Sequence, residues 1–74
     1  MGQLTIGKVA QQAGVNLQTI RYYQRQKLIE QPPKPIDGYR IYSEQVVNRV
    51  RFIKRAQLLG FSLKEVKDLL ALGD

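Results

Sequence analysis

The side chains with the most chemical content are Arg21, Tyr22 and Tyr23, consecutive in the chain and flanked by Gln18, Thr19 and Arg25. Successive helical residues lie about 100° apart, so the triplet cannot all face inward. Tyr23 is assigned to the core, leaving Arg21 and Tyr22 projecting outward. A guanidinium is a bidentate donor to phosphate, and a phenol hydroxyl reaches a backbone oxygen over an apolar ring. Two more basic side chains join the candidates: Arg40 within Gly38-Tyr39-Arg40, and Lys54, preferred over its neighbours Arg51 and Arg55. Plainer readings stand beside these. Tyr22 is equally readable as a ring packed on a neighbouring segment, Gln18 as an idle surface amide, and the charges around Lys54 as a solvated helix face.

The remaining inventory excludes most catalysis. The sequence has no His and no Cys, so the usual general base, the commonest metal ligand, disulfides and thiolate metal sites are all missing. No paired carboxylates or nucleophile–base pair can be assembled either, and the chain is expected not to be an enzyme. Twelve Lys and Arg against six Asp and Glu give a formal charge of +6. It is uneven: between Lys8 and Arg55 ten basic residues face three acidic ones, a balance of +7, and the stretch after Arg55 carries −1. Clustered positive charge at a pI near 10.0 is the electrostatic footprint of a nucleic-acid binder, although an acidic protein or anionic lipid would also be attracted. A length of 74 residues with 43% hydrophobic composition implies one small folded domain over residues 1–74. No apolar run approaches the roughly 18 residues of a membrane span, and the N-terminus lacks the apolar core of a signal peptide. The expected location is cytoplasmic.

Four helices must position the candidates. Thr5 is an N-cap for a short helix whose apolar stripe is Ile6, Val9, Ala10 and Ala13, ended by Gly14. After a three-residue turn Asn16 caps a second helix, Leu17 to about Gln26, with Ile20 and Tyr23 inward and Leu17 at the margin. A helix, a tight Gly-containing turn and a second helix form the helix-turn-helix pattern, in which the second helix enters the DNA major groove. Residues near its start are the usual base readers, hence Gln18 and Thr19, with Arg25 assigned to the backbone. Pro32, Pro33 and Pro35 then stop helix propagation. Asp37-Gly38 reads as a two-residue hairpin turn, with Tyr39 and Ile41 on one face of its second arm and Arg40 and Tyr42 on the other. Arg40 would thereby project from a small β wing toward flanking phosphates or the minor groove. Ser43 caps the longest helix, about Glu44 to Leu59, with Val46, Val50 and Ile53 as its core stripe and Gly60 closing it. Ser62 and Glu65 form a capping box for a fourth helix running to about Ala71, with Leu63, Val66, Leu69 and Leu70 as its stripe. The expected fold is mainly α, a winged helix-turn-helix of four helices with a small two-stranded β wing.

Taken together, Thr5-Ile6-Gly7, Ala13-Gly14-Val15, the run from Thr19 to Arg25, Tyr39-Arg40 with Tyr42, and Phe52 to Gln57 with Leu59-Gly60-Phe61-Ser62-Leu63 resemble the DNA-binding domain of the MerR-family transcriptional regulators. The resemblance spans essentially the whole chain and is nearest to the heavy-metal branch, within it the mercury-responsive regulators. It implies that Arg21, Tyr22, Arg40 and Lys54 contact the DNA backbone. It also implies a homodimer in the full-length protein and promoter distortion that lets RNA polymerase engage. Lys27 departs from the family pattern, standing where Gly is usual after the recognition helix. Either it adopts positive φ under strain or the helix ends differently. The dimerisation helix and the cysteine ligands of the metal branch would lie beyond Asp74, so no cofactor is expected in this chain, and a metal ion such as mercury(II) only in the missing C-terminal part. The expected function is sequence-specific binding of double-stranded promoter DNA for a mercury-resistance regulator. The alternatives are an effector-independent, excisionase-like architectural DNA-binding protein and a basic protein-interaction module.

Overall fold

The computed structural model describes residues 4–36 and 38–73. Its elements are α1 (Ile6–Ala13), α2 (Leu17–Arg25), α3 (Glu44–Leu58) and α4 (Leu63–Gly73). Each helix begins near where its capping chemistry places it. The Lys8 N–H donates to Thr5 Oγ1 at 3.4 Å and the Thr19 N–H to Asn16 Oδ1 at 2.8 Å, each satisfying a donor left orphaned by the first helical turn. Ser43 differs from expectation: it occupies the N-cap of α3 in extended geometry but makes no side-chain cap bond. Its carbonyl accepts from Val46 N–H at 3.1 Å, and Glu44 places a negative charge in the first turn, where the helix dipole favours one. The capping box at α4 is complete, with Ser62 N–H donating to Glu65 Oε1 at 2.8 Å and Glu65 N–H to Ser62 Oγ at 3.1 Å. Ser62→Ala is therefore expected to cost about 1 kcal/mol, read as a lower denaturant midpoint at unchanged m-value.

Three of these helices close in the same way. Val15 N–H reaches back to Ala10 O, Leu28 N–H to Tyr23 O, and Phe61 N–H to Ala56 O, at 3.0, 2.9 and 3.0 Å. The residue before each donor is left-handed: Gly14 at φ 74°, Lys27 at 62° and Gly60 at 103°. This is the Schellman closure, which glycine adopts without a Cβ penalty. Lys27 thus takes the strained option. It is held there by the Leu28 bond and by burial of Leu28 and Ile29 immediately after it. A left-handed non-glycine residue costs about 1–2 kcal/mol, partly offset by the smaller entropy of its unfolded chain. Lys27→Gly should raise stability by up to about 1 kcal/mol, which at this size lifts the melting temperature by about 4–8 °C.

The core lies where all four helices meet. Val9 of α1, Ile20 of α2, Val50 and Ile53 of α3 and Val66 of α4 are fully buried. On α3 the buried stripe is Val47, Val50, Ile53 and Ala56, with the expected Val46 only half-buried. The buried residues follow an i, i+3, i+6, i+9 spacing through Val47, and α3 packs on both α1 and α4. On α4, Leu63 and Leu70 are half-buried against the core and Leu69 is exposed. The boundaries of α2 and α4 also shift slightly, α2 stopping at Arg25 and α4 continuing to Gly73.

The expected two-stranded wing is not present as paired strands among the described residues. Asp37, half of the proposed turn, lies outside them. Among the described residues the only bridge is antiparallel, between Leu4 and Tyr42, with Tyr42 N–H donating to Leu4 O at 2.7 Å. The physical reason is local: Pro32, Pro33 and Pro35 have no N–H to offer a ladder. The second arm still alternates as expected, with Tyr39 and Ile41 exposed, Tyr42 buried and Arg40 half-buried.

Candidate nucleic-acid interface

The outward face of α2 follows from its inward one. Ile20 and Tyr23 are buried, and the Tyr23 hydroxyl donates to Gln57 Oε1 of α3 at 2.8 Å. Burial pushes the Tyr23 phenol above its ordinary pKa, and neighbouring Tyr22 adds to the shift, so the group stays a neutral donor. With α2 fixed in rotation, Gln18, Arg21, Tyr22 and Arg25 are exposed. Thr19 is half-buried, and its hydroxyl donates to Asn16 Oδ1 at 2.9 Å, within the cap.

Between α2 and the extended arm lies a cleft of about 430 Å³ that brings Arg21, Arg25 and Arg40 together with Thr5, Gln24, Gln31, Tyr39 and Tyr42. Its floor is tied by Gln24 Nε2 donating to Tyr42 Oη at 2.6 Å. Arg40 is not the freely projecting wing residue expected from the hairpin. Its Nε donates to Pro32 O at 2.8 Å, supplying a donor to a segment rich in carbonyls and poor in N–H groups. The arm is thereby held beside α2 without a strand ladder.

On the other side of Tyr22, a shallower depression is lined by Gln18, Thr19, Tyr22, Arg25 and Gln57. A third, at the start of α2, is lined by Gly14, Val15, Asn16, Thr19, Tyr23 and Lys54. Arg25 borders the first and second depressions, and Thr19 the second and third. All seven sequence-predicted residues therefore lie on one continuous strip running from Arg40 across α2 to Lys54.

Lys54 and Arg51 also have partners within the fold. Lys54 Nζ donates to Gly14 O at 2.7 Å, and the Arg51 guanidinium to Gln12 O at 3.2 and 2.8 Å. Both carbonyls lie at the C-terminal end of α1, where unpaired acceptors and the dipole attract cations. The two side chains thus clamp the helix-turn-helix onto α3. Gln24 and Gln57 have structural roles that were not assigned from sequence. Gln24 was findable, because three residues after Arg21 it shares that face, whereas the Gln57 bond depends on the tertiary crossing of α2 and α3.

The MerR HTH family regulatory protein family matches residues 4–72. The chain belongs to this family. MerR-family relatives include the mercuric resistance operon regulatory proteins of Serratia marcescens, 56% identical over 71 residues, and Bacillus cereus, 52% identical over 69. These matches cover 96% and 93% of this chain but 49% and 52% of the relatives, so the chain spans about half the length of those proteins. Among solved structures, the lead(II) complex of a transcription regulator from Ralstonia metallidurans is similar with a TM-score of 0.86 and 31% identity, over 96% of this chain and 56% of the other. The helix-turn-helix architecture and its MerR membership thus agree. Among the described residues no group of three or more His, Cys, Asp or Glu side chains could hold a metal ion, and no helix is long and apolar enough to cross a membrane.

Proposed function

We propose that these residues are the DNA-binding domain of a promoter regulator of mercury resistance. The observation that carries the reading is the strip across α2, where Arg21, Arg25 and Arg40 converge on one cleft and Lys54 closes the far end. A strip of this kind matches the spaced phosphates of a duplex, and the exposed start of α2 matches base edges in the major groove. Arg21, Tyr22, Arg40 and Lys54 are assigned to the backbone, Gln18 and Thr19 to bases, and Arg25 to the backbone beside them. The segments at 31–36 and 38–42 serve as the wing.

The full-length protein is read as a homodimer that distorts its promoter for RNA polymerase, a deformation whose energy depends on the DNA sequence being bent. The effector reading does not extend into these residues. Soft metal ions select thiolate ligands, and the sequence has no Cys, so the donors present do not fit mercury(II) and no step here runs through it. The reading is non-catalytic.

A fluorescence competition tests it, using an inverted-repeat promoter duplex from a mercuric resistance operon, a random duplex, heparin and an acidic protein. The promoter duplex should bind best. Comparable affinity for all four would instead identify a basic protein-interaction module.

A further inference from the structure

Arg25 is drawn in two directions. It lines the cleft with Arg21 and Arg40, two like charges, and it borders the depression on the far side of Tyr22. Its guanidinium carbon lies 5.9 Å from the centre of the Tyr22 ring, within reach of the negative face of the π system. The i, i+3 spacing makes the two side chains neighbours on one helix face. The ring is itself placed from below: its centroid lies 6.2 Å from that of Tyr23, with the planes tilted by 47°, and Tyr23 is anchored to Gln57 of α3. A chain of contacts thus runs from α3 through two aromatic rings to a cation on the surface of α2. An exposed arginine otherwise samples many rotamers, and ordering it on binding costs entropy.

We infer that Tyr22 is a positioning residue whose ring holds the Arg25 guanidinium at the rim shared by the cleft and the neighbouring depression, aimed at the DNA. This rests on the DNA-binding reading and adds to it at one residue, because the ring of Tyr22 acts through Arg25 beside the backbone contact of its hydroxyl. Tyr22 is 40% exposed, so its substitution is compatible with folding.

Two measurements test this. In the free protein, NMR should show the Arg25 side-chain protons shifted upfield by the ring current in wild type and Tyr22→Phe, and back in the ordinary range in Tyr22→Leu. In titrations with the random duplex, Tyr22→Leu should lose about two- to fivefold more affinity than Tyr22→Phe, the range a partly exposed cation–π contact supports, and the two variants should bind equally in an Arg25→Ala background. Should the leucine variant lose helical signal, Tyr22→Gln replaces it with the same expectations. Absence of the ring-current shift, equal losses for the Phe and Leu variants, or an undiminished loss without Arg25 would each overturn the inference. Failure of the wild type to bind any duplex would overturn the DNA-binding reading instead, while the NMR result would still stand or fall on its own.

Discussion

Arg21→Ala is expected to weaken binding to promoter and random duplexes alike by about 10- to 100-fold, with the melting temperature almost unchanged. Arg21 is exposed on α2 and lines the cleft shared with Arg25 and Arg40, so its removal leaves no hole in the core. A hydrogen bond to a charged group contributes about 1.5–3 kcal/mol, which converts to that range of affinity. Because phosphate carries no sequence information, the loss should be uniform across duplexes, and the salt slope should become shallower by about one. Equilibrium titrations of both duplexes at several salt concentrations measure both effects.

Ile53→Ala should act in the opposite sense, on stability first. Ile53 is fully buried among residues drawn from all four helices, and truncating a buried isoleucine costs about 2–5 kcal/mol through lost transfer energy and the cavity left behind. A domain of this length has a total stability of only about 4–11 kcal/mol. The variant is therefore expected to lose a large share of its stability, seen as a markedly lower melting temperature and denaturant midpoint. A variant as stable as wild type would show that the helices do not share one core.

The helices are legible in the sequence because their signals are local. Thr5, Asn16 and the Ser62–Glu65 pair sit three residues from the groups they satisfy, and Gly14 and Gly60 mark closures that need positive φ. Lys27 is legible as an anomaly, and the structure resolves it as strain rather than a different helix end. The wing is not confirmed as paired strands: its three prolines, whose missing N–H groups are legible in the sequence, offer no donors to a ladder, and Asp37 of the Asp-Gly turn lies outside the described residues. The outward set on α2 is legible for the same periodic reason as its core face. What periodicity does not contain is the partner of each charge. Arg40 bonding Pro32 O and Lys54 bonding Gly14 O, 8 and 40 residues away in sequence, arise only once distant segments meet.

The most direct measurement is the salt dependence of wild-type binding to the promoter duplex. Contacts from Arg21, Arg25, Arg40 and Lys54 to four phosphates predict that log K falls linearly with log salt at a slope of about −3 to −4. A slope near zero would contradict the assignment of this strip to the DNA backbone.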